Sequence, residues 1–142
     1  MTSQLNVDTI VDKAGSGGTN VKVANTSTYV SDGGAVTQNT VQALIKCWFN
    51  YKGTDDVFRD TFNVASSTDN GTGYYTITFT NAMSNNDYCV QCTSHMWEDN
   101  SDDNARISGA TKMSTTSFRQ CTIYGTGTYQ DAQNNMAAVF GD

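Results

Sequence analysis

From Tyr74 to Thr80 the chain alternates without a break: Tyr75, Ile77 and Phe79 are apolar, while Thr76, Thr78 and Thr80 are polar. A period of two buries one face of a β-strand and wets the other, whereas a helix would scatter the same rings around its circumference. Just upstream lies Asn70-Gly71, the dipeptide that folds one strand back on the next. Composition agrees with strands. Leu5 and Leu44 are the only leucines, proline is absent, and Thr, Asn, Ser and Gly fill 59 of the 142 positions. A helix bundle needs the Leu, Ala, Glu and Lys that are scarce here. No run approaches the roughly 20 apolar residues of a membrane-spanning helix. Met1 to Asn6 is polar, so no export signal is expected there. Aromatic residues, 11 % of the chain and dispersed among β-branched neighbours, argue against disorder.

The charge pattern excludes some partners. The net charge is −6 and the eight Lys and Arg are scattered, so neither a nucleic acid nor an anionic membrane surface is an expected partner. Catalytic chemistry is also poorly supplied. His95 is the only histidine, and on a strand its odd spacing from Cys92 places the two on opposite faces. Glu98 is the only glutamate, which leaves no acid/base pair for glycan cleavage. Cys89 and Cys92 form one C-x-x-C inside a strand pattern, whereas zinc sites pair two such motifs or add histidines. Together with Cys47 and Cys121 they read as reduced thiols. The acidic run 98–104 offers oxygen ligands but lacks the EF-hand spacing, so it reads as a solvated loop. The glycines at 15–18 are not followed by Gly-Lys-Ser/Thr and cradle no phosphate. No catalytic residue, metal or cofactor is expected.

The chain divides into three parts. Residues 1–35 hold almost no large apolar side chains and read as an extended arm, with Leu5, Val7, Ile10 and Val11 as the residues that dock it on a partner chain by strand addition. Residues 36–46 read as a short helix or stem. Val41, Leu44, Ile45 and Trp48 follow i, i+3, i+4, i+7 spacing, and because ten residues are too few for a stable lone helix this face needs a partner, either the domain body or, as a trimer interface, copies of itself in a three-helix stem. Residues 47–142 read as a small antiparallel β-sandwich. Its strands are expected over 46–52, 57–65, 74–80, 87–97, 115–125 and 136–140, separated by loops at 97–111 and 125–135. Trp97, Asp99, Asn100, Asp102, Asp103 and Tyr129 lie on or beside those loops and form the expected recognition surface.

Several stretches resemble a domain recurrent in tail-fibre proteins of tailed bacteriophages. They are Lys46-Cys47-Trp48-Phe49-Asn50-Tyr51-Lys52-Gly53-Thr54, the long run from Arg59 through Asn63 and Asn70-Gly71 to Met83, then Asn86-Asp87-Tyr88, Thr116-Ser117-Phe118-Arg119 and the ending Val139-Phe140-Gly141-Asp142. Gln4 to Ile10 also resembles N-terminal segments of phage fibre and virion proteins. The likeness covers roughly 46–92 and 115–142, and 93–114 has no counterpart. It implies a non-enzymatic, trimeric virion component concerned with attachment to a host surface glycan or protein. Other phage structural proteins, of tail or capsid, would be its partners, and it would be located in the virion. The long shaft common in attachment fibres is missing here. This keeps a second expectation open, a capsid decoration or cement protein that stabilises the shell.

Overall fold

The computed structural model describes residues 28–30, 37–96, 105–125 and 127–141. The chain forms two units, 1–41 and 42–142. In the first, β1 (Thr28–Val30) pairs antiparallel with β2 (Thr37–Asn39). One helical turn, α1 (Thr40–Ala43), follows. The expected helix over 36–46 is therefore reduced to four residues. The reason is local. Thr37, Thr40, Val41 and Ile45 are β-branched, and the turn has no acidic residue at its start and no basic residue at its end to favour a helix. From Ile45 onward the backbone instead finds partners in the sheet, Ile45 opposite Phe140 and Cys47 opposite Val139.

The second unit is mainly β. Its strands are β3 (Ile45–Lys52), β4 (Val57–Phe62), β5 (Val64–Asp69), β6 (Tyr74–Phe79), β7 (Cys89–His95), β8 (Ala105–Thr111), β9 (Ser117–Ile123) and β10 (Asn134–Phe140). They form one antiparallel sheet in the order β4-β3-β10-β7-β8-β9-β6-β5, nearly closed into a barrel. This replaces the expected two-sheet sandwich. The sheet has no break because β10 pairs with both β3 and β7, and β8 with both β7 and β9. The two edge strands, β4 and β5, are consecutive in the chain and are joined by Asn63 alone. Asn63 takes a left-handed backbone (φ 58°), and its amide donates to Lys46 O (2.9 Å) and accepts from Asn81 N (2.7 Å). Asparagine tolerates that conformation better than most residues.

The interior follows the period of two. Cys47, Phe49 and Tyr51 of β3, Tyr75, Ile77 and Phe79 of β6, and Phe118 of β9 are buried. The barrel is narrow enough for rings to meet across it. Phe49 stacks on Phe118 at 6.2 Å between centroids, and Tyr51 meets Tyr75 edge-on at 5.0 Å. Met83 and Tyr88, from the segment after β6, close the apolar end, where Tyr88 packs edge-on against Phe79.

The other end is polar and is closed by residues 130–133. Fully buried Ala132 accepts from Gly53 N (2.9 Å) and from Asn135 Nδ2 (3.0 Å). Asp131 accepts from Gly73 N (2.7 Å) and from the Tyr75 hydroxyl (2.5 Å). Glycine is required at Gly73, whose φ is +74° and where a Cβ would stand 2.7 Å from Thr122 O. Half of the expected 125–135 loop is thus a plug. The expected 97–111 loop is likewise corrected: its second half is β8, paired with β9 from Ile107↔Ile123 to Thr111↔Arg119.

Candidate functional site

Two groups of exposed rings stand on the outside of the barrel. The first is on the β3–β4 wall. Since Cys47, Phe49 and Tyr51 point inward, Trp48 points outward, opposite Phe62 on β4 and Ala138 on β10. Phe62 is 52 % exposed. Leu44 and Ile45, also exposed, continue the patch toward Phe140, the partner of Ile45. Two of the four expected interface residues, Ile45 and Trp48, therefore belong to this wall, Leu44 precedes it as an exposed residue, and Phe62 joins them. Val41 lies in α1.

The second group is on the β8–β9 wall. Phe118, Gln120 and Thr122 point inward, so Arg119, Cys121 and Ile123 point outward. Cys121 lies between Tyr74 of β6 and Gly109 of β8, and Ile123 between Ile107 and Tyr129. The rings of Tyr74 and Tyr129 stack at 4.3 Å. Hydrogen bonding between their hydroxyls, followed by desolvation, pushes the Tyr74 phenol up to about 12. Arg119 lies 5.9 Å from the centre of the Tyr74 ring, and its Nε is buried without an acceptor. Arg106, on the inward phase of β8, lies over the Tyr124 ring at 4.5 Å at the polar end and donates from Nε to Gln130 Oε1 (3.0 Å). Ile107, Tyr124 and Tyr129 are all exposed.

The Phe49–Phe118 stack fixes how the two groups are related. These rings meet across the interior from β3 and β9, so the outer faces of the two strands point apart. The groups also differ along the strands. Ile45 and Phe62 lie at the end closed by Met83 and Tyr88, whereas Tyr74, Ile123 and Ala105 lie at the end closed by Ala132. The exposed rings thus occupy opposite walls and opposite ends of one barrel.

Of the expected recognition residues, Tyr129 falls in the second group. Trp97, Asp99, Asn100, Asp102 and Asp103 lie outside the described residues, as do the expected docking residues Leu5, Val7, Ile10 and Val11. Tyr124, at the margin of the expected 125–135 loop, also falls in the second group, whereas Tyr74, Arg106 and Arg119 were not singled out as recognition residues by the sequence. The available signal was the outward phase of the strands, where Tyr74 and Arg119 interrupt runs of Thr and Ser.

The interior carries a polar cluster that the sequence also concealed. Ser94 and Thr122 donate to Asn135 Oδ1 (2.9 and 2.8 Å), and Gln120 Nε2 donates to Ser108 Oγ (3.0 Å). Nearby, burial pushes the Cys92 thiol up to about 11, and at the apolar end it pushes the Cys47 thiol up to about 12. Such thiols are inert as nucleophiles at neutral pH. All four cysteines are free, and Cys89 is exposed rather than buried. Cys92 and His95 fall on opposite phases of β7. Among the described residues no group of three His, Cys, Asp or Glu side chains could hold a metal ion.

No protein-family model, curated protein or solved structure matches this chain.

Proposed function

We propose that the protein is a non-enzymatic structural component of a tailed-phage virion, a short tail-fibre-like homotrimer. Its N-terminal arm, residues 1–35, anchors it to the particle, and the barrel is displayed for host attachment. The observation that carries this reading is the diagonal placement of the two exposed groups. The chain enters the barrel at Ile45, beside Trp48 and Phe62, while the tyrosine–arginine group stands at the far end of the opposite wall. An anchored binding module needs this polarity, with anchoring and self-association at one end and recognition at the other. The apolar group has the composition of a subunit interface and the ring-and-arginine group that of a recognition hot spot.

The resemblance to phage tail-fibre domains supports the same reading. Its stretches, 46–92 and 115–142, supply every strand of the barrel except β8 and the end of β7. The β8 region is where such domains vary.

Locating the protein on purified particles, with its copy number, tests the proposal. A few copies at the tail are expected, with loss of adsorption when the protein is removed. A position spread over the capsid, with weaker heat or osmotic resistance on its removal, replaces attachment by shell cementing. Deleting residues 2–18 is expected to release the protein from particles while the barrel stays folded, and retention on the particle refutes the anchoring role. Light scattering of the full chain is expected to give three protomers, and a monomer refutes the trimer.

A further inference from the structure

We infer that the β8–β9 wall binds an acidic saccharide, a glycan whose sugar rings carry carboxylates. This rests on the reading of that wall as the attachment surface and adds the chemistry of the ligand.

Charge is the first argument. The protein carries 14 acidic residues and a net charge of −6, yet from Ala105 to Ile123 there is no Asp or Glu, while Arg106, Lys112 and Arg119 all fall there. Of these, Arg119 points outward and Lys112 is exposed, while Arg106 takes the inward phase of β8 opposite Ser94. Exposed positive charge in a stretch without carboxylates favours an anion by complementarity.

The second argument is the state of Arg119. No carboxylate among the described residues pairs with it, and its buried Nε has no acceptor. The Tyr74 ring is the group packed beside its guanidinium. With Nε buried, the two Nη groups are the edge that the fork presents beside the ring, and they are placed to take a carboxylate in two parallel hydrogen bonds.

The rings supply the third argument, and they favour a sugar over an acidic peptide or nucleic acid. Tyr129 and Tyr124 are 40 % and 42 % exposed, and each is pinned, one by its stack on Tyr74 and the other by Arg106. Pinned tyrosines offer rigid, flat, amphipathic faces and lose little freedom on binding. A pyranose ring presents a flat C–H face edged by hydroxyls, which fits such a platform. Gly109 keeps β8 low beside it: a Cβ there would meet only Cys121 Sγ, at 3.9 Å. A repeating acidic sugar can then rest one ring on the tyrosines and direct its carboxylate to Arg119.

Calorimetry on the full chain tests this with three carboxylate polysaccharides (polygalacturonate, alginate, hyaluronate), neutral dextran and polyglutamate. At least one acidic polysaccharide is expected to bind, dextran not to bind, and polyglutamate to bind at least about tenfold more weakly. Arg119→Gln and Tyr129→Ala are each expected to weaken polysaccharide binding about tenfold, with an unchanged melting temperature. Arg119→Lys, which keeps the charge but loses the fork, is expected to recover only part of the loss. Equal binding of polyglutamate, wild-type affinity in both variants, or no binding of any acidic polysaccharide overturns the inference. Adsorption of the same proteins to host cells separates the two readings. Variants that lose adsorption, with a wild-type chain that ignores all three polysaccharides, overturn the acidic-sugar assignment and leave attachment standing. Polysaccharide binding without adsorption does the reverse.

Discussion

The β3–β4 wall and the β8–β9 wall share strand geometry, and each exposes aromatic rings, but the company of those rings differs. Trp48 and Phe62 stand with Leu44, Ile45 and Phe140. Tyr74 and Tyr129 stand with Arg119, and Tyr124 stands with Arg106 at the polar end. The first group offers area whose burial is favourable in almost any orientation. The second offers directional hydrogen bonds as well, and so discriminates between ligands. One barrel can therefore present a permissive face and a selective face, provided that its core holds them apart.

The largest expected effect tests that core. Phe118 is fully buried and stacks on both Phe49 and Phe79. Phe118→Ala is expected to cost about 3–5 kcal/mol in chemical denaturation, weakening both walls together. Loss of one wall's function with full stability would show that the walls do not share a core. Next in size is Asn135→Ala. It leaves the hydroxyls of Ser94 and Thr122 without their Asn135 acceptor and removes one of the two donors to Ala132 O, at about 1–3 kcal/mol. Because this cluster is at the far end, the proposed recognition on the β8–β9 wall is expected to suffer before the proposed self-association does. Phe62→Glu and Trp48→Glu sharpen the comparison from the other side. Each is expected to convert the proposed trimer to monomers in light scattering while leaving the proposed ligand binding at the β8–β9 wall intact. Tyr129→Ala is the smallest perturbation of the fold, expected within about 0.5 kcal/mol, because its ring is on the surface.

Alkaline pH acts on the core common to both walls. Burial raises the Cys47 thiol to about 12 and the Cys92 thiol to about 11, against 9.0 for a free thiol, and it raises the Tyr51 and Tyr75 phenols above their ordinary 10.0. The unfolded chain therefore ionises first and binds fewer protons than the folded one, so stability falls as pH rises. From these groups no loss is expected below pH 9.0, and a progressive fall in melting temperature is expected above it. A flat profile from neutrality to pH 12 would contradict the burial of these groups.

Where one face of a strand is apolar, the fold was legible in the sequence. The alternation at 74–80 became β6, with Tyr75, Ile77 and Phe79 inside, and Asn70-Gly71 became the turn that leads into it. β8 was hidden because its inward residues include Arg106 and Ser108, while its one large apolar residue, Ile107, faces out at 64 % exposure. Polar side chains inside a barrel cancel the contrast on which a period-two reading depends. The choice between barrel and sandwich rests on which distant strands pair, β10 with β7 and β8 with β9, and no local pattern encodes that. Ala132 could not be placed from its neighbours, since its burial follows from bonds to Gly53 and Asn135. Of the ring group on the β8–β9 side, Tyr124 and Tyr129 were legible as aromatic loop margins, whereas Arg106 and Arg119 gain their meaning from rings on other elements.

The placement of Ile45 has a mechanical consequence. On the proposed reading, a pull on residues 1–35 would enter the barrel along β3, and resistance at the β8–β9 wall would be applied near the other end. The load therefore runs parallel to the strands. β3 is clasped on both sides, by β4 and by β10. Its ladder bonds share such a load in shear, whereas an edge strand pulled crosswise would surrender them one at a time.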